Sequence, residues 1–198
     1  MINIGDFSKC GESLLLNPVI LPVLFDEEDL TNIYSLIDVN DLVDAKVLQS
    51  KNEEVVDGIR KCSEVTIRYT DKSAWLYGWI ADTIKNVNDQ YFHFDPLEIV
   101  EEIAFVRYRE GGHYGVHFDL DTVPPMSGRK LSVVIQLSDE TEYEGGSLTI
   151  VTNAGPIDVP KAKGTMVIFP SYLPHLVNIV TSGRRDVLVM WAGGQHFR

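Results

Sequence analysis

Two stretches of the chain carry the same three letters, His93-Phe94-Asp95 and His117-Phe118-Asp119. An imidazole and a carboxylate two positions apart point to the same side of an extended strand, so both can reach one ion. The pattern is short enough to arise by chance, and its surroundings decide. His93-Phe94-Asp95 precedes Pro96 in a connection between a helical and a strand-rich segment, and is expected to be structural or exposed. His117 follows the Gly111-Gly112 turn at the edge of the strand-rich region, and His175, on another strand, is the candidate third ligand. Two imidazoles and one carboxylate on one face of an octahedron leave three positions for a bidentate co-substrate and dioxygen, which suits an iron(II) centre. His113 has the i, i+4 spacing of a helical metal pair with His117. Gly111, Gly112 and Gly115 disfavour a helix there, which leaves His113 at the rim. His196, in the last residues of the sequence, is expected to be mobile.

After His175 the sequence runs LVNIVTSGRRDVLVMW. Beyond a turn at Gly183, Arg185 starts an apolar strand and shares a face with Val187, Val189 and Trp191, while Arg184 takes the other face. A guanidinium aimed into an apolar sandwich needs an anion, because an unpaired buried charge costs several kcal/mol. A dicarboxylate co-substrate supplies one, with its keto acid end on the metal and its distal carboxylate paired to Arg185. A surface arginine, or an ion pair with Asp186, is the plainer alternative.

These residues need a β framework. From about residue 98, apolar and β-branched runs recur at Ile99–Arg109, Tyr114–Phe118, Leu131–Ser138, Ser147–Thr152, Gly155–Val159, Thr165–Phe169, His175–Val180 and Arg185–Trp191. Gly-Gly, Pro-Pro and Asn-Ala-Gly turn signals separate them, a texture of sandwiches and jelly rolls rather than parallel sheets. Before residue 98 two amphipathic helices are expected. One is capped by Asp26 and Asp29 and carries Leu30, Ile33, Tyr34 and Ile37; the other spans Lys72 to Val87 with Trp75 and Trp79 as a core stripe. Ala45–Gln49 and Val65–Tyr69 alternate as strands do. The expected class is mainly β with flanking helices: one domain over 1–198, a jelly-roll core at 98–198, and helices of 1–97 on one face. The connections Leu120–Gly128 and Asp139–Gly145 flank the site and are candidate lids.

A net charge of −12, with 29 acidic against 17 basic residues, opposes a nucleic-acid partner. No apolar run nears the ~18 residues of a membrane span, and the opening MINIGDFSKCGES is not a signal peptide. Cys10 and Cys62, without metal spacing, suggest reduced thiols, so the expected location is cytoplasmic.

The segments FVRYREGGHYGVHFDLD, RKLSVVIQLSDETEYEGGSLTI and KGTMVIFPSYLPHLVNIVTSGRR, in that order, resemble the prolyl 4-hydroxylase-like branch of the 2-oxoglutarate/iron(II) dioxygenases, nearest to the bacterial PKHD-type hydroxylases. The resemblance covers about residues 100–191. It implies a double-stranded β-helix with iron on His117, Asp119 and His175, Arg185 on the C5 carboxylate, and Tyr108 hydrogen-bonded to the co-substrate. Animal members carry a co-substrate-binding tyrosine where this chain has Gln136, an amide able to donate in its place. The implied reaction consumes 2-oxoglutarate and O2, releases succinate and carbon dioxide, hydroxylates a C–H bond, and is supported by ascorbate. The implied substrate is a prolyl residue in a peptide or protein. A free amino acid or other small molecule is the alternative, and a cupin-like metal-binding module is the non-enzymatic one. Asp119 disfavours halogenation, since related halogenases carry a small residue there. The oligomeric state is not implied.

Overall fold

A computed structural model describes residues 14–22, 25–49, 52–54, 56, 58–95 and 97–195, so His196, Cys10 and Pro96 lie outside the described residues. In chain order the elements are β1 (Val19–Leu21), α1 (Glu27–Ser35), β2 (Val43–Asp44), β3 (Val47–Gln49), β4 (Asn52–Glu54), β5 (Arg60–Lys61), β6 (Ser63–Ile67) and α2 (Ala74–Val87). There follow β7 (Glu98–Ile99), β8 (Ile103–Arg109), β9 (His113–His117), β10 (Arg129–Gln136), β11 (Tyr143–Gly145), β12 (Leu148–Thr152), β13 (Gly155–Asp158), β14 (Met166–Pro170), β15 (His175–Val177) and β16 (Val180–Gly193).

Two antiparallel sheets face each other as a jelly roll. The major sheet has the order β1-β14-β10-β16-β8-β6-β2, with β7 and β11 also on β16, and the minor sheet has the order β13-β12-β15-β9-β5. Strand alternation divides the apolar residues between two layers. Leu131, Val133 and Ile135 of β10, Leu188 and Met190 of β16, and Ile103 and Phe105 of β8 pack against Leu30 and Ile33 of α1 and Leu76, Ile80 and Ile84 of α2. The opposite face, with Val106 and Tyr108 of β8, Phe169 of β14 and Val187 of β16, meets Leu148 and Ile150 of β12 and Val177 of β15. The helices therefore cover one face of the sandwich, and the space between the sheets is left for the site.

The local signals worked where they had a physical partner. Asp26 accepts from Asp29 N at 2.9 Å and Asp29 reciprocates to Asp26 N at 3.3 Å, closing the box that starts α1. On α2 the apolar stripe is narrower than expected. Trp79 packs on Phe25 with ring centroids 4.4 Å apart, whereas Trp75 is 39% exposed while its neighbours Leu76 and Tyr77 are buried. Gly183 is not a turn: β16 runs through it, and its φ of +76° marks an irregularity where β11 pairs. Of the candidate lid Asp139–Gly145, the last three residues, Tyr143–Gly145, form β11 and pair with β16.

Candidate metal centre

In the minor sheet β9 and β15 are neighbours, and the register places His117 directly opposite His175. Their ring centroids are 4.1 Å apart. β9 ends at His117, and the chain beyond it is pinned by Asp119 N and Leu120 N, which donate to Ser171 O at 3.0 and 3.1 Å. This turns the Asp119 carboxylate inward, with Oδ1 3.6 Å from His117 Nε2 and Oδ2 3.5 Å from His175 Nε2. One ligand atom from each residue lies within 4.8 Å of the others, the only such cluster among the described residues.

The protonation pattern fits a metal. His117 Nδ1 lies 2.9 Å from Gly115 O and His175 Nδ1 lies 3.0 Å from Leu173 O. A carbonyl only accepts, so each Nδ1 carries a hydrogen and each Nε2 is the atom turned to the shared point. Burial, then the neighbouring His175, pushes His117 down to about 4, which keeps it neutral near pH 7. Burial alone would raise Asp119, but His175, His117 and the Ser132 hydroxyl outweigh it and hold the carboxyl below its ordinary range. Ser132 Oγ donates to Asp119 Oδ2 at 2.6 Å and lies 2.9 Å from Ser171 Oγ. The result is two imidazoles and one carboxylate turned on one point, a donor set matching iron(II). The buried Trp191 Nε1 faces Asp119 but closes no hydrogen bond of good geometry, leaving a polar atom free beside the ligands.

A cavity of about 600 Å³ runs between the sheets from these three residues to Arg185, walled by Tyr108, Val134, Val187, Val189 and Trp191. Arg185 is 3% exposed, and among the described residues it has no carboxylate partner. Its Nε donates to Gln136 Oε1 at 3.2 Å, and its guanidinium lies 5.4 Å from the Tyr108 ring centroid. The plainer alternative for this arginine fails on the other face of β16. There Asp186, fully buried, is gripped by Arg107 Nε and Nη2 at 2.8 Å each and by Arg184 Nε at 3.2 Å. Gln136 sits behind Arg185 rather than on the cavity wall, and its amide nitrogen donates to Tyr143 Oη at 2.9 Å and Ser138 O at 3.4 Å. The other pair, His93-Phe94-Asp95, is far from this arrangement in conformation: His93, with φ +56°, caps the helical turn after α2. His113 lies opposite Lys61 of β5 with Nδ1 3.1 Å from Gly111 O, outside the three-residue cluster.

Some neighbours of the cluster escaped the sequence reading. Ser132 had a signal, a lone hydroxyl at an inward position of an apolar strand. Tyr114 had none. It stacks on His117 with centroids 3.5 Å apart, although i and i−3 on a regular strand point to opposite faces. The register shift between His175 and Val177 allows it. Arg129 lies over Trp191, with its guanidinium carbon 3.7 Å from the ring centroid, and holds Glu101 with two nitrogens.

Residues 103–193 match the sequence model of the 2OG-Fe(II) oxygenase superfamily. In this stretch the chain is similar to a 2OG-Fe(II) oxygenase core. Within it lie all three clustered residues and Arg185. A PKHD-type hydroxylase of Pseudoalteromonas atlantica is 36% identical over 44% of this chain and 40% of the relative. One from Pseudomonas putida is 28% identical over 86% of this chain and 76% of the relative. The chain thus spans from two fifths to three quarters of the length of these relatives. The crystal structure of a Pseudomonas putida prolyl-4-hydroxylase superposes with a TM-score of 0.70 at 22% identity, covering 96% of both chains. A prolyl hydroxylase from Trichoplax adhaerens, solved with a hypoxia inducible factor peptide, gives 0.71 at 16% identity over 90% of this chain and 84% of that one. These likenesses carry the jelly-roll fold. Among the described residues no helix is long and apolar enough to cross a membrane.

Proposed function

We propose that the chain hydroxylates an aliphatic C–H bond, with His117, Asp119 and His175 as iron(II) ligands and 2-oxoglutarate as co-substrate, and that the substrate is a prolyl residue of a peptide or protein. The observation that carries the reading is Arg185, a buried guanidinium without a carboxylate at the far end of the cavity that begins at the three ligands. A metal-binding module of the cupin kind has no use for it. Bound iron(II) with 2-oxoglutarate and dioxygen supplies the oxidising chemistry, with succinate and carbon dioxide as co-products. The chain's own part is to present two imidazoles and an ionised carboxylate, to balance the distal carboxylate with Arg185, and to keep water from the cavity with Val134, Val187 and Val189. Tyr108, buried and with its hydroxyl raised by burial, stays protonated, which supports a donor role toward the co-substrate. Residues 1–97 act as support for a single catalytic domain, and the enzyme works in the cytoplasm with ascorbate keeping the iron reduced.

The net charge of −12 favours a neutral or basic peptide over a nucleobase. Proline-containing peptides are incubated with the protein, iron(II), ascorbate and 2-oxoglutarate, and read by mass spectrometry and succinate release. The expected result is one added oxygen on proline. Oxygen added only to a free amino acid would overturn the peptide substrate, and absence of succinate with every substrate would overturn the activity.

A further inference from the structure

The charge of Arg185 is left free by the residue that orients it. Its Nε donates to Gln136 Oε1 at 3.2 Å. An arginine only donates, so the amide oxygen must face it and the amide nitrogen must face Tyr143 Oη and Ser138 O, both acceptors in range. Chemistry therefore fixes which way Gln136 points. Tyr143 is itself 4% exposed and interacts with Arg185 through its hydroxyl. Its position depends on β11 lying close to β16 at Gly183, where a Cβ would fall 2.1 Å from Glu142 O and φ is +76°. A run of contacts thus leads from a glycine that no other residue can replace, through the Tyr143 hydroxyl and the Gln136 amide, to one edge of the guanidinium. Both contacts are neutral, so the charge of Arg185, which lines the cavity, has no counter-charge from them.

A glutamate at position 136 would have almost the same shape. It would also put a carboxylate against Arg185 and balance the charge with no ligand bound, so that a co-substrate's second carboxylate would compete with one already in place. Resting on the co-substrate reading above, we propose that Gln136, held by Tyr143, is the residue that makes this end of the cavity selective for a 2-oxo acid with a second carboxylate. It is a positioning residue, acting through Arg185.

The test uses the full chain loaded with iron(II) and kept free of oxygen. It is titrated with 2-oxoglutarate and with 2-oxopentanoate, which has a methyl in place of the distal carboxylate, while the visible absorption of the 2-oxo acid chelate is followed. Gln136→Glu is expected to weaken 2-oxoglutarate by about 30-fold or more, the loss typical when a buried charge pair is broken, with 2-oxopentanoate little changed. Tyr143→Phe, which keeps the ring packing, is expected to reduce the preference in the same direction by a smaller factor, and it carries the test if Gln136→Glu does not fold. An unchanged preference in Gln136→Glu, or an equal loss for both acids in Tyr143→Phe, overturns the proposal, provided that Arg185→Ala abolishes the preference. If Arg185→Ala also keeps it, the co-substrate reading of Arg185 fails, and the proposal fails with it.

Discussion

His93-Phe94-Asp95 and His117-Phe118-Asp119 have the same composition and order, yet the chain turns them inside out. In the first, Phe94 packs against the helix-side core while His93 and Asp95 are exposed. Asn88 holds that turn, donating to Phe94 O at 3.1 Å and accepting from Phe94 N at 3.0 Å. In the second, Phe118 is 59% exposed while His117 and Asp119 face the cavity. Alternation supplies only two choices, side chains 1 and 3 inward or side chain 2 inward. What selects between them is the neighbour: an Asn clamp after a helix in one case, a strand partner carrying His175 in the other. Three residues acquire a chemical role from the backbone they occupy.

The adjacent arginines repeat the contrast, with the largest expected effect. Arg185→Ala should weaken 2-oxoglutarate by about 30-fold or more, as expected when one partner of a buried charge pair is removed, while iron affinity changes far less. Arg184, whose side chain is 47% exposed, should tolerate alanine with a few-fold change at most. Calorimetric titration of the two variants separates them, and a larger loss in Arg184→Ala would mean that the strand faces are exchanged.

The histidines differ next in how they couple folding to protons. The unfolded chain takes up a proton on His117 near its ordinary value of 6.5, but the folded metal-free protein refuses it until about 4. Across that window the unfolded state binds more protons, so metal-free stability should fall as pH drops from about 6.5 to about 4. Below 4 this contribution levels off. Urea unfolding of the metal-free protein at several pH values should show the slope, and His117→Gln should flatten it, whereas His93→Gln should leave it.

The phenylalanines give the smallest contrast. Phe94→Ala should cost about 1–2 kcal/mol, since its ring is only partly buried, and Phe118→Ala should stay within about 0.5 kcal/mol of the parent. Thermal unfolding of both variants checks the inversion without reference to any metal.

Much of this was legible in the sequence, for physical reasons that can be named. The period-2 pattern of β16 placed Arg185, Val187, Val189 and Trp191 on one face, and all four line the cavity. The capping box of α1 and the apolar stripe of α2 marked the helices. Features that depend on strand irregularity were not legible. Gly183 read as a turn because a glycine with positive φ has the same signature in a bulge as in a turn. Tyr114 reaches His117 only through a register shift, and Gln136, off the cavity wall, is held by Tyr143, which arrives on a strand within the segment the sequence marked as a lid. Local periodicity carries no information about which residue of another strand completes a hydrogen bond.

The most direct test of the centre is equilibrium iron(II) binding, without oxygen, to the parent chain and to His93→Ala, Asp95→Ala, His117→Ala, Asp119→Ala and His175→Ala. One iron per chain is expected in the parent and in the first two variants, with tight binding lost in the last three. Retained tight binding in His175→Ala, or its loss in His93→Ala, would contradict the assignment of the metal to His117, Asp119 and His175.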